Sequence, residues 1–372
     1  MDLVRLWAIA RKEWIQLRRD RRSMILAFVL PIFLLLFFGY AISWDIDDIP
    51  LAVLDQDRSR ASRELVDALT AGGLFHVAEY LDRYDAADEP IRAGSVRAVV
   101  VIPPGFQRDL ASGGPAPVQL LLDGADANTA TIALSYADAI IAQHSQQVLL
   151  QGRRIPDLIQ ADTRVWYNPT LESRNMIVPS LIAVIMSIIA AMLTALTIAR
   201  EWERGTMEQL AATPVHRLEV VLGKLLPYVL IGILDVTGAT IAGILVFGVP
   251  FRGSVLLLGG MTLLFLVGAL GVGLFISATL RSQVLAMQVA MVATYLPALL
   301  LSGFLFDIAS MPAVLRAVTT IVPARYFVTV TRGIFLKGVG VEALWAQGLS
   351  MVAFATIGLG LAALAFRKRI AR

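Results

Sequence analysis

Several runs of apolar residues, each about as long as a bilayer core is thick, constrain this chain more than any other feature. One of them, MILAFVLPIFLLLFFGYAIS at residues 24–43, reaches the roughly 20 residues that a helix needs to cross hydrocarbon. Others lie near residues 177–199, 222–247, 255–280, 284–306 and 344–366. Lipid offers no partner to a backbone N–H or C=O, so such runs are expected as helices. Composition agrees: of 372 residues, 57% are hydrophobic and only 16% charged, against about 25% charged in a soluble domain. The first run is too long for the apolar core of a signal peptide and reads as an uncleaved anchor.

Charge sets an orientation. Arg5, Arg11, Lys12, Arg18, Arg19, Arg21 and Arg22 crowd the first 22 residues, the chain closes on RKRIAR, and Arg281 marks a further short turn. Positive residues stay cytoplasmic, so both termini are expected inside, with six spans satisfying the parity. These basic edges suit anionic lipid headgroups rather than nucleic acid. Residues 44–175 hold 19 acidic against 11 basic side chains, and are expected outside. They read as a small α/β domain inserted between the first and second spans. Strands are expected within 50–57, 96–106, 116–126 and 163–169, a helix over 59–73 capped by Ser59 or Ser62, and a longer helix over 128–150. The expected fold is therefore an α-helical polytopic membrane protein with an extracytoplasmic α/β insertion. Its parts are an amphipathic helix over 1–22, a first span over 23–43, the outer domain over 44–175 and five further helices over 176–372. Residues 307–340, broken by Pro312 and Pro323, are expected to dip into the outer leaflet and return.

Catalytic chemistry finds no anchor. Cysteine is absent, which excludes disulfides, thiolate metal sites and a Cys nucleophile. No phosphate-binding G-x-x-x-x-G-K-[ST], no G-x-S-x-G and no H-E-x-x-H occurs. His76, His144 and His216 lie far apart with no ligand-like neighbours, so no metal site is expected.

Residues 200–213 stand out instead, because REWERGTMEQLAAT is a short polar segment between two greasy ones. Trp202, Met207 and Leu210 can share a face toward the membrane, leaving Glu201, Glu203, Arg204 and Glu208 toward the cytosol. Thr213 reads as an N-cap with Pro214 at the first helical position of the next span. The segment is either a solvated turn or a docking surface for a cytosolic partner, since mixed charge on a short helix gives specificity. The N-terminal helix carries Leu3, Leu6, Trp7, Ala10, Trp14 and Leu17 on one face and basic residues on the other, which suits a helix lying on the cytoplasmic leaflet.

Within the membrane, Asp235 must face the bundle interior or a watery cavity. There it either lines a substrate path or is a protonated or paired structural group. Lys224 and Arg281 are expected to snorkel. Ala183, Ser187, Ala191, Ala195 and Ala199 recur every four residues as a ridge for close helix packing, within this chain or against a partner. Trp166, Tyr167 and Phe327 are expected as headgroup-level anchors.

The segment AREWERGTMEQLAATPVHRLEVVLGKLLPY closely resembles the stretch after the second span in permeases of ABC-2 type exporters. The likeness is greatest to the drug-export branch with a large outer domain. The head RKEWIQLRRDRRSMILAFVLPIFLLLFFGYAI and the tail SGFLFDIASMPAVLRAVTTIVPARYFVTVTRGIFLKG are similar to the same family, so the resemblance spans nearly the whole chain. It implies one transmembrane subunit of an ATP-driven exporter of the bacterial inner membrane. Two cytosolic ATP-binding subunits would bind ATP and Mg, leaving no cofactor in this chain, and a second permease, identical or homologous, would pair with it. A coupling helix beginning Glu201, Trp202, Glu203, Arg204, Gly205, Thr206 and including Glu208 would seat in the ATPase, with Lys12, Glu13, Arg18 and Arg19 of the N-terminal helix as a second contact. A periplasmic adaptor is a further candidate partner. The cargo would be a hydrophobic, drug-like compound. Two other classes stay open on the residues alone: a membrane-anchored receptor or scaffold working through its outer domain, and an ion-coupled carrier using Asp235. A copurifying ATPase would separate the three.

Overall fold

The computed structural model describes residues 2–42, 48–125, 127–149, 166–169, 172–207, 209 and 213–366. The chain divides into two compact units, one of Met1–Ser43 with Arg164–Arg372 and one of Trp44–Thr163.

The second unit is an α/β sandwich around a four-stranded sheet of order β2-β1-β3-β4. Its strands are β1 (Ile49–Asp55), β2 (Phe75–Tyr80), β3 (Ala98–Ile102) and β4 (Gln119–Leu122). β1 runs parallel to both β2 and β3, and β4 closes the sheet antiparallel to β3. Parallel strands need crossovers, which α4 (Arg60–Ala71) and α5 (Asp88–Ala93) supply. β1 and β3 are continuously apolar because both faces are covered. Leu51, Val53 and Val100 pack with Leu65, Leu69 and Phe106 on one face, while Ala52, Leu54 and Val99 pack with Ala87 and Val96 on the other. α6 (Phe106–Ala111) and α7 (Ala127–Leu149) complete the unit.

Ser59 is the N-cap of α4, its hydroxyl accepting from the Ser62 amide. Asp57 reaches across from the β1–α4 connection, accepting from the Gly105 and Gln107 amides at 2.8 and 3.0 Å. Ser59 and these amides at the start of α6 hold its carboxyl below the usual carboxylate range. β2 was not expected from the sequence. Conversely, residues 166–169 carry no strand, and 163–165 lie outside the described residues.

The first unit is helical. α1 (Leu3–Arg19) precedes α2 (Arg21–Met24), a π-turn over Ile25–Val29 and α3 (Leu30–Ala41). After the insertion come α8 (Ser173–Glu203), α9 (Arg217–Leu245), α10 (Val255–Leu280), α11 (Gln283–Leu300), α12 (Ala313–Thr319), α13 (Pro323–Arg332) and α14 (Val341–Ala365). Among the described residues, five helices are long and apolar enough to cross a membrane: α8, α9, α10, α11 and α14. The expected first span is a shorter apolar helix over Ile25–Ala41, and residues 313–337 form a pair bent by 81° rather than a straight helix.

α8 is the axis of this unit. It is apolar on every side, as a helix walled in by others must be, and 89% of its most apolar window is buried. Its small residues let α10 and α11 come close. Ala191, Ala195 and Ala199 pack with Ile276, Ala286 and Ala290. At Gly273 a Cβ would fall 2.2 Å from the Thr194 hydroxyl and 2.3 Å from the Ala191 carbonyl oxygen, so only glycine fits. The Thr194 hydroxyl donates to the Leu270 carbonyl at 2.9 Å, and the Ser277 hydroxyl accepts from the Ala199 amide at 2.9 Å. Ala183 and Ser187 are buried on the same helix, and the Ser187 hydroxyl donates to the Ala183 carbonyl.

Phe327, expected at headgroup level, is instead fully buried and stacks on Phe265 with ring centroids 4.3 Å apart. Trp166 and Tyr167 are exposed.

Candidate coupling site

Three helix ends converge where α8 stops. α1 starts on an N-cap, Asp2, whose side chain accepts from the Val4 amide at 2.9 Å. It lies along α9 because Gly223 leaves room: a Cβ there would stand 2.9 Å from that of Ile9 and 3.0 Å from the Leu6 carbonyl oxygen. Glu219 fastens the two helix starts together, accepting from the Asp2 amide at 2.7 Å and the His216 amide at 2.9 Å. Arg5 donates to the Pro214 carbonyl. The buried face of α1 is Ala10, Glu13 and Leu17. Leu3 and Trp7, 76% and 65% exposed, stay off the protein. The apolar face inferred from the sequence is thus divided, with only part of it against α9.

Behind the α8 terminus sits a cluster of four charges. The Lys224 ammonium of α9 donates to the Glu13 carboxylate of α1 and pairs with Glu201 of α8 at 3.1 Å. Lys12 of α1 reaches the same Glu201 oxygen at 2.6 Å. Lys224, Glu13 and Glu201 are 1%, 4% and 3% exposed, whereas the Lys12 side chain is half-exposed. Two cations and two carboxylates balance. Desolvating such ions costs several kcal/mol each, about what a well-formed set of pairs recovers. The cluster therefore adds little net stability but makes the three helices mutually dependent. One Glu201 oxygen finds no hydrogen-bond partner among the described residues.

A second tier surrounds this cluster. Arg200 pairs with Asp20 at 2.9 Å and donates to Gln283 at 3.3 Å. Glu203 accepts from the Gln283 amide at 2.7 Å. The Arg281 guanidinium lies 4.3 Å from the centre of the Trp202 indole, a cation–π contact. Residues 200–203 thereby touch α1, the α1–α2 junction, α9, and the turn between α10 and α11.

α8 then ends in a Schellman motif. Gly205 takes φ +69°, its amide donates to Trp202 and that of Thr206 to Glu201, as this left-handed closure requires. The expected polar helix over 200–213 is thus not one helix: its first four residues are the last turn of α8. Glu203, Arg204 and Gly205 are exposed beyond the cluster, Thr206 is partly covered and Met207 buried. Glu208 and Leu210 lie outside the described residues.

Three expectations need correction. Glu201 does not face the cytosol but is buried, because two lysines compensate it. Lys224 does not snorkel, because Glu13 and Glu201 neutralise it inside the protein. α9 does not begin at Thr213 and Pro214. His216 is its N-cap, with Glu219 closing a capping box. Of the expected N-terminal contacts, Lys12 and Glu13 join the cluster while Arg18 and Arg19 remain exposed. Sequence reasoning missed Lys224 as a cluster member. The available signal was Glu13, a carboxylate at the i+3 position of the Ala10–Leu17 stripe, and Lys224, a lone cation within an apolar run.

Asp235 is buried in α9, and one of its carboxylate oxygens has no hydrogen-bond partner among the described residues. No group of residues suited to a metal ion occurs among the described residues.

The family model described as ABC-2 family transporter protein matches residues 21–367. The probable multidrug ABC transporter permease YbhS of Escherichia coli (strain K12) is 39% identical over 368 residues, covering 98% of this chain and 97% of that protein. The probable multidrug ABC transporter permease YbhR of the same organism is 31% identical over 371 residues, covering 98% and 99%. The linearmycin resistance permease protein LnrN of Bacillus subtilis (strain 168) is 24% identical over 379 residues, covering 95% and 97%.

Proposed function

The chain belongs to the ABC-2 family of transporter proteins, and from that premise we propose that it is the membrane subunit of an ATP-driven exporter, worked through the junction at the end of α8. The observation that carries this reading is the four-charge cluster of Lys12, Glu13, Glu201 and Lys224, buried except at Lys12. A push delivered at residues 203–209 passes through Glu201 into α8, the helix most enclosed by the bundle. Lys224 carries it into α9, and Glu13 and Lys12 into α1. A solvated turn that merely separated two spans would have no need of buried charges behind it.

In this reading two cytosolic subunits hold ATP and Mg, and this chain contributes no catalytic group. Glu203, Arg204 and Gly205, with Trp202 and Thr206 beside them, form the seat for such a subunit, and Glu208 is assigned to it from the sequence. Arg18, exposed on α1, is a second contact for that subunit. Nucleotide must favour one permease state through contacts that differ between states, and these residues are where the contacts are made. A second permease, identical or homologous, completes the path, with Ile25–Ala41 as the sixth crossing and both termini cytoplasmic in the bacterial inner membrane.

The cargo is a hydrophobic or amphipathic drug-like compound, a reading supported by relatives named as multidrug and linearmycin resistance permeases. Asp235, buried with an unpartnered oxygen, is proposed to line its route. The test is to replace Glu203 and Arg204 with alanine and measure copurified ATP-binding subunit together with dye efflux from cells. Both fall if the seat is correct; undiminished docking and efflux refute it.

A further inference from the structure

A cavity of about 1280 Å³ opens between α1, the start of α2, α8 and the start of α11. Six cationic side chains line it, Arg11, Lys12, Arg19, Arg21, Arg200 and Arg204, against a single acid, Asp20. Two of the cations are occupied: Lys12 by Glu201 and Arg200 by Asp20. Arg11, Arg19, Arg21 and Arg204 are exposed and form no ion pair among the described residues. Four uncompensated positive charges around one concavity repel one another, so the cavity favours an anion.

Its geometry narrows which anion. Guanidinium groups offer forked donors that match phosphate oxygens. Beside the polar Gln16, Ser23 and Gln283, the rest of the wall is apolar and includes Ile15, Leu26, Leu196 and Met287. Leu26, Leu196 and Met287 belong to the apolar helices, while Arg21 and Arg200 stand where those helices end. Cations at the helix ends with apolar side chains beside them are what the headgroup level of a bilayer presents.

We propose that this cavity seats the phosphate headgroup of an anionic phospholipid, with an acyl chain running along Leu26, Leu196 and Met287. Arg11, Arg19 and Arg21 hold the phosphate. An acidic protein surface would satisfy the arginines but leave the apolar wall without a partner. The site is independent of whether the chain exports anything.

The test uses the full chain, purified in neutral detergent and stripped of lipid, titrated with dioctanoyl phosphatidylglycerol, dioctanoyl phosphatidylcholine or sodium phosphate, with bound species counted by native mass spectrometry. One phosphatidylglycerol should bind saturably. An arginine facing an anionic headgroup contributes on the order of fivefold, so R11Q/R19Q/R21Q should weaken binding about 100-fold. The corresponding triple lysine variant, which keeps the charge and loses the fork, should bind between the glutamine variant and the unaltered chain, which separates lost charge from lost fold. R60Q/R83Q/R92Q, removing the same net charge from the inserted unit, should bind as the unaltered chain does. Equal binding of phosphatidylcholine, or an undiminished glutamine variant, overturns the proposal. Sodium phosphate binding as tightly as phosphatidylglycerol assigns the cavity to soluble phosphate and overturns the lipid occupant. Loss of a copurifying subunit in the glutamine variant, with lipid binding unchanged, assigns it to a protein partner and overturns it as well.

Discussion

Replacing Lys224 with methionine asks the most of the structure. Lys224 is the cation that both buried carboxylates share, at 3.1 Å from Glu201 and in direct contact with Glu13. With methionine there, Glu201 keeps Lys12 at 2.6 Å, but Glu13 loses its ion-pair partner while remaining 4% exposed. An uncompensated buried charge costs about 3–5 kcal/mol. E13Q should cost less, since Lys224 retains Glu201; losing one charged hydrogen bond is worth about 1.5–3 kcal/mol. The double variant E13Q/K224M removes both charges and should recover much of the K224M loss, giving a coupling energy above about 1.5 kcal/mol. SDS-driven unfolding in mixed micelles, followed by tryptophan fluorescence, measures all three against the unaltered chain. A K224M chain within about 0.5 kcal/mol of the unaltered one, the scale of a neutral surface change, would refute the buried cluster. So would additive single and double variants.

Three further outcomes are expected. G273A must part α8 from α10, because its Cβ would meet the Thr194 hydroxyl and the Ala191 carbonyl at 2.2 and 2.3 Å; about 1–3 kcal/mol or more should be lost in the same unfolding assay. F327A should cost about 3–5 kcal/mol as a core truncation, whereas a headgroup anchor would lose far less. For Asp57, a folded pKa held below its ordinary value means stability present above about pH 4 and lost as pH falls through the folded value. The thermal midpoint of the full chain should exceed that of D57N by a constant margin from about pH 7 to pH 5 and converge with it below about pH 4. A margin unchanged at about pH 2 would contradict it.

Much of the fold was legible because lipid and β-pairing impose simple periods. The runs at 177–199 and 255–280 fall within α8 and α10, and that at 344–366 overruns α14 by one residue, since a helix enclosed by lipid or by other helices is apolar all round. Ser59 and the glycines at 72 and 73 bracket α4 as helix signals should. β2 was passed over because FHVAEY at residues 75–80 carries two polar residues in an edge strand, His76 exposed and Glu79 half-buried. The end of α8 could not be read, since residues 200–203 are polar enough to pass for a separate helix. Their burial depends on Lys12 and Lys224, which are distant in the chain. Phe327 misled for a related reason: an aromatic near an expected interface says nothing about a ring such as Phe265 stacked over it. Local pattern shows which residues are costly to bury, but only tertiary contact shows which are buried together.

The central claim is that a separate ATP-binding subunit grips the connection after α8. Because the chain has no cysteine, Gln209→Cys, at an exposed position, can be labelled alone with a benzophenone maleimide and illuminated in the native membrane. Ser112→Cys, exposed in the inserted unit, serves as the comparison. The account predicts that the ATP-binding subunit is cross-linked from position 209 and not from 112, and that efflux stops as the adduct forms. Cross-linking of that subunit from position 112, or from neither position while efflux continues, would contradict it.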